Sequence, residues 1–160
     1  MVLRRVRRLG SAGFSLTDLL ITLAVMAIVA SLGYPYFSGF LKAAKVKAGA
    51  QELATVVNGA RQLAIARNTL VCIVLDSNKA KYMVGTSAAC AGGTAYTGAG
   101  TKSDGTIPLQ NDMQISASTA NVVFTNLGAA STAGTHTVRD PATNKTLSVV
   151  VAASGRVTIQ

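Results

Sequence analysis

Asp18 is an ionisable side chain set at the edge of a long apolar run. It immediately precedes residues 19–41, a stretch with no charged side chain. A carboxylate among apolar residues costs about 2.5–3.5 kcal/mol at the centre of a membrane helix and less near its end. Such an acid either pairs with a cation or stays hydrated at the membrane surface. The other residue types able to do chemistry are sparse. Two cysteines, Cys72 and Cys90, and one histidine, His136, lack the CxxC-like spacing of a metal site. Thr135-His136-Thr137 with Asp140 has no nucleophile motif such as G-x-S-x-G to serve. A lone histidine among threonines reads as a surface or strand residue. There is no P-loop and no GxGxxG, and the six acids are scattered. Asn144-Lys145-Thr146 matches a glycosylation sequon, a pattern common by chance. The chain reads as a non-enzyme with no cofactor and no metal.

The segment that carries Asp18 decides its setting. The chain is 49% hydrophobic and only 13% charged, about half the charge of an ordinary soluble domain. Residues 19–41 suffice to cross a bilayer, which takes about 20 helical residues. Arg4, Arg5, Arg7 and Arg8 precede this run; without them the formal charge falls from +9 to +5. Basic flanks stay in the cytoplasm, which puts the C-terminal part outside the inner membrane. There a Cys72–Cys90 disulfide is expected, because thiols oxidise and persist as pairs outside the cytoplasm; spacing alone does not establish the geometry. A secretory signal would end in a small-residue cleavage site after the apolar run. Here Ala12-Gly13 comes before it, and the run passes into Tyr34-Pro35-Tyr36. By composition alone, an uncleaved anchor stays open.

Gly13-Phe14-Ser15-Leu16-Thr17-Asp18-Leu19-Leu20-Ile21 resembles the class III leader junction of type IV prepilins and type II secretion pseudopilins. The resemblance implies that a prepilin peptidase cuts between Gly13 and Phe14 and methylates the new Phe14 amine. It implies that Asp18, standing where the family usually has glutamate, pairs with the N-terminal amine of a neighbouring subunit during assembly. The implied partners are the peptidase, other pilins or pseudopilins in a filament, and an inner-membrane assembly platform.

The helix is expected to continue beyond the membrane. Val46, Ala50, Leu53, Val57, Ala60 and Ala64 recur at spacings of four and three, with Gln51, Thr55, Asn58 and Gln62 on another face. Gly33 and Pro35 predict a kink or local melting, because proline lacks the backbone donor and clashes with the preceding turn. Gly39, Gly49 and Gly59 either permit close packing or are simply tolerated, at about 1 kcal/mol each relative to alanine. After Asn68 short runs predict strands at 69–75, 79–84, 107–109, 113–116, 122–125, 135–139, 146–151 and 157–159, with a loop over 85–105. Turns are expected at 126–128, 140–141 and 154–155. The result is an α+β chain: a 1–13 leader, a 14–40 transmembrane or filament-core helix, and a 41–160 globular domain. That domain comprises a helical half, 41–68, and an antiparallel β part, 69–160.

Residues 58–68 (NGARQLAIARN), followed by Val71-Cys72-Ile73-Val74, resemble the GspH/FimT branch of the pilin-like family, as do Phe124 with Gly128 and the closing Ser154-Gly155-Arg156-Val157. The resemblance implies a minor pilin or pseudopilin of a type II secretion pseudopilus or a type IV pilus. Arg61 and Arg67 read as a solvated helix face, with Arg67 complementing the helix C-terminal dipole. Some members on the FimT side bind DNA through a basic C-terminal Gly-Arg motif. Here Gly155-Arg156 is present, but Thr158 stands where a second arginine would strengthen the likeness. Arg139, Lys145 and Arg156 are the candidate DNA contacts, and three separated solvated charges are the preferred alternative.

Overall fold

A computed structural model describes residues 15–110, 113–117 and 121–160; Gly13 and Phe14 lie outside them. The chain divides into two compact units after Gly39. Helix α1, Leu16–Arg67, contributes to both.

In the second unit α1 buries Val46, Gly49, Ala50, Leu53, Val57, Ala60 and Ala64, a stripe of i, i+3 and i+4 positions that covers one side of the helix. Gly49 and Gly59 lie where the helix is approached closely. A Cβ at Gly49 would come within 2.6 Å of the Met113 Cγ, and one at Gly59 within 2.6 Å of the Tyr82 hydroxyl. That hydroxyl donates to the Val56 carbonyl at 2.7 Å, and burial pushes its pKa up to about 12. The helix stops because Asn68 adopts φ +49°. Asn68 N–H then donates to Ile65 O and Thr69 N–H to Ala64 O, both at 3.2 Å, which satisfies carbonyls the helix end would leave free.

Among the described residues ten short strands follow, all paired antiparallel. β1 (Val71–Asp76) and β2 (Lys79–Val84) form a hairpin with a two-residue loop, Ser77-Asn78. They belong to a sheet of order β3-β2-β1-β6-β7, in which β4 also pairs with β2. Here β3 is Thr94–Ala95, β4 Thr106–Pro108, β6 Val122–Phe124 and β7 Ala130–Thr132. The second sheet has the order β10-β9-β8-β5, from β5 (Gln114–Ala117), β8 (Gly134–Arg139), β9 (Thr146–Val151) and β10 (Val157–Ile159). Val71, Ile73, Val122, Phe124, Val138, Val149 and Val151 meet the helix stripe in one hydrophobic core. This is the α+β architecture expected, one long helix on antiparallel sheet. Two strands differ from expectation. β3 lies inside the presumed loop, and β7 has no anticipated counterpart.

His136 is a strand residue, but not a surface one. It sits on β8 between Val149 of β9 and Ala117 of β5, fully buried. Neither ring nitrogen has a hydrogen-bond partner among the described residues. Burial lowers its pKa, because desolvation penalises the charged ring. The neutral form is thus the one the fold accepts. Its contribution to stability is complete above about pH 6.5, the unfolded value, and is lost as pH falls below that towards the lowered folded value. We expect His136→Leu to flatten this acid dependence and to melt about 4 °C higher than the parent chain near pH 5, in paired thermal melts at neutral and acid pH.

Candidate assembly site

The first unit contains the residues assigned to assembly. Residues 16–37 are exposed throughout, and the helix contains an apolar window of mean hydropathy 2.1, none of it buried, long enough to cross a membrane. Leu16, Leu20, Ile21, Met26 and Leu32 are each more than half exposed. Apolar side chains thus surround this stretch of the helix on all sides without a covering partner among the described residues, as expected of a segment solvated by lipid or by like helices.

Ser15 precedes the helix, and its carbonyl accepts from the N–H groups of Asp18 and Leu19 at 3.0 and 3.2 Å. Its hydroxyl lies 2.7 Å from that of Thr17. Asp18 is in the first turn, where the free N–H groups of the helix start favour a negative charge. Its carboxylate is exposed and has no hydrogen-bond or ion-pair partner among the described residues. The arrangement therefore offers one acid at the start of a helix that carries no further charge until Lys42.

Local melting does not occur at Gly33 and Pro35: α1 is helical through both. Ser31 and Ser38 turn their hydroxyls back onto the carbonyls of Ile28 and Pro35, at 2.7 and 3.0 Å. A Cβ at Gly33 or Gly39 would meet nothing within 4 Å among the described residues, so neither glycine is required by packing against them.

In the second unit Cys72 and Cys90 are joined as a disulfide, with their Cα atoms 5.5 Å apart. The three candidate DNA contacts are not brought together. Arg139 pairs with Thr146 at one end of the β8–β9 hairpin, beside Lys145. Arg156 belongs to the turn beyond Val151, at the other end of β9. Five residues of strand separate the two ends, roughly 17 Å.

Arg61 corrects the expectation of a solvated helix face. Its Nε donates to the carbonyl of Gly128 at 2.8 Å, and a Cβ at Gly155 would collide with that same carbonyl. The β6–β7 and β9–β10 turns thus close on one helix side chain. The two turn glycines are visible in the sequence, but nothing there pairs them with Arg61. Arg67 is exposed, with its guanidinium carbon 5.6 Å from the centre of the Tyr96 ring, a cation–π distance.

The family model for type II transport protein GspH matches residues 49–155, about two thirds of the chain, from the packed half of α1 to the Gly155 turn. The chain belongs to the GspH family. The fold agrees with three solved structures. The Pseudomonas aeruginosa type IV minor pilin FimU is 17% identical over 76% of this chain and 92% of its own, with a TM-score of 0.54. The Vibrio cholerae minor pseudopilin EpsH of the type 2 secretion system is 14% identical over 72% and 96%, at 0.55. The solution structure of Escherichia coli GspH is 13% identical over 73% and 88%, at 0.56. No curated sequence matches the chain. This GspH-family chain is a pilin-like protein of the GspH/FimT kind. The family window does not include Asp18, so the role of that acid rests on the N-terminal motif and on its place in the helix.

Proposed function

We propose that this chain is a non-enzymatic minor subunit of a type II secretion pseudopilus or a type IV pilus. A prepilin peptidase cuts it between Gly13 and Phe14 and methylates the Phe14 amine. It then rests in the inner membrane with residues 41–160 in the periplasm until an assembly platform draws the helix into a filament. The observation that carries this reading is the union of an exposed apolar helix bearing one acid in its first turn with a GspH-family globular unit. Asp18 draws the new amine of a neighbouring subunit, neutralising two charges that each cost free energy in an apolar surrounding. Pro35 and Gly33 supply the place where the helix bends on leaving the bilayer.

Mass spectrometry of the protein extracted from its host's membranes should find methylated Phe14 as residue one; an intact Met1 end would refute processing. Asp18→Ala should be processed normally but recovered in sheared filaments at roughly a tenth or less of the parent level, the factor that about 1.4 kcal/mol represents. Recovery at the parent level would remove the pairing role.

A further inference from the structure

Half of the chain's aromatic side chains stand in one short stretch. Tyr34, Tyr36, Phe37 and Phe40 are four of its eight Phe and Tyr residues, and there is no Trp. All four are exposed, between 62% and 85%. Aromatic rings collect at the headgroup level of a bilayer, where the ring meets hydrocarbon and a hydroxyl meets water. Leu16 to Tyr34–Tyr36 spans about 27–30 Å of helix, the thickness of the hydrocarbon core. The aromatic stretch therefore falls at the far interface of a membrane crossed by this helix.

The next charged residues are all basic: Lys42, Lys45 and Lys47. The fold of the second unit adds two more at the same end. Ala43 and Val46 of α1 line a surface hollow of about 370 Å³ together with Asn144, Lys145, Thr146 and Leu147. Arg139 donates to Asn144 Oδ1 through Nε at 3.1 Å, which keeps its guanidinium beside this hollow. The nearby acid is already used. Asp140 is buried; it accepts from the Thr143 hydroxyl and the Ala142 N–H at 2.7 and 3.2 Å and lies 3.8 Å from Lys45 Nζ. These partners, Thr143 first, hold its carboxyl below the usual range. Lys42, Lys47, Arg139 and Lys145 are exposed, and none has an acidic partner among the described residues. Three lysines just past the apolar run nearly match the four arginines before it, which works against the orientation bias set by flanking charge.

We propose that Lys42, Lys47, Arg139 and Lys145 form a collar that binds the phosphate-bearing headgroups of anionic phospholipids, in the leaflet the helix enters as it leaves the second unit. The proposal rests on the anchored reading above. Lys42 stands about 9–12 Å of helix rise beyond Tyr34–Tyr36, which brings it to the headgroup layer, roughly 5–8 Å thick outside the hydrocarbon core, within the screening length of roughly 8 Å at physiological salt. Headgroups are thus in reach whenever the anchor is in a bilayer. The contact is electrostatic and reversible, so it steadies the globular unit at the membrane and yields when the subunit is drawn out.

The test uses the processed chain, which begins at Phe14 and so lacks Arg4, Arg5, Arg7 and Arg8, reconstituted in phosphatidylcholine bilayers, with trace spin-labelled phosphatidylglycerol or phosphatidylcholine reporting lipid at the protein surface. We expect phosphatidylglycerol to be preferred about fivefold or more at low salt, the worth of even one basic residue near an anionic surface, and the preference to fade at high salt. It should be lost in the K42Q/K47Q/R139Q/K145Q chain and kept in an R67Q/R156Q chain, both of parental circular dichroism. No preference in the parent chain, or one that survives the fourfold change, overturns the collar. So does binding of a labelled oligonucleotide to the chain in pure phosphatidylcholine that needs the same four residues, which would make this a nucleic-acid surface. Carbonate extraction separates the two readings: a chain released by it is not anchored, whereas a retained chain without lipid preference has an anchor but no collar.

Discussion

Gly155→Ala is expected to lower the unfolding free energy of the globular unit by about 3 kcal/mol, through three losses at one turn. Gly155 has φ +79°, where an L side chain costs about 1 kcal/mol or more. Its Cβ would collide with the Gly128 carbonyl and come within 3.2 Å of Arg61 Nε. That carbonyl is the acceptor for Arg61, so backing away from the methyl group weakens a part-buried hydrogen bond to a charged donor, worth about 1.5–3 kcal/mol. The collision is with backbone and cannot be relieved by a rotamer change. Gly85 provides the control. It has φ +73°, but a Cβ there meets nothing within 4 Å, so Gly85→Ala should cost only about 1 kcal/mol. Denaturant unfolding of both variants measures the difference. Equal losses would mean that the Arg61 junction does not hold the turns.

Removal of the Cys72–Cys90 bridge should have an effect of similar size. The sequence separation is 18, and closing a loop of that length restricts the unfolded chain by about 3 kcal/mol in the chain-entropy model. Cys72 is fully buried on β1, between Met83 of β2 and Val123 of β6. Cys90 belongs to the connection after β2, whose Ala88 carbonyl accepts a 3.3 Å hydrogen bond from Thr132 of β7. We expect the chain isolated from its host to show no free thiol under denaturing conditions, and Cys90→Ser to unfold about 3 kcal/mol more readily. A titratable pair of thiols in that isolate would count against the bridge.

Most elements were legible because their signal is local. The stripe from Val46 to Ala64 needs only a spacing of three and four, and every residue named for it is buried. β1, β9 and β10 are runs rich in Val, Ile and Leu, bounded by turn residues, and fall where such runs predict. β7 escaped because Ala130-Ser131-Thr132 has little strand preference; it is a strand because β6 supplies its partner, across an irregular register. Arg61 escaped for the same reason at longer range. An arginine on a half-polar helix face reads as solvated until the fold delivers the Gly128 carbonyl, 67 residues away. His136 shows the limit of reading polarity as exposure, since its neighbours Thr135 and Thr137 are only partly exposed while it is fully buried. At the assembly site, Asp18 was legible from the scarcity of charge around it. The gathering of Lys145 and Arg139 near Ala43 and Val46 was not, because it depends on the β8–β9 turn folding back onto the helix.

The position of β1 has a consequence for the order in which the molecule can form. Its neighbour β2 follows at once, but its other neighbour, β6, begins at Val122, fifty-one residues beyond Val71. Until that segment arrives, the central strand has one side unpaired and the stripe on α1 lacks much of its cover. The helix comes first in the chain and its last fastening, at Gly155, almost at the end. Pairings this distant are slow, on the order of milliseconds to seconds for β-rich domains. A nascent chain is thus greasy along one flank for most of its synthesis, which marks that flank as the natural target of holding chaperones and of proteases that remove stalled, C-terminally truncated products.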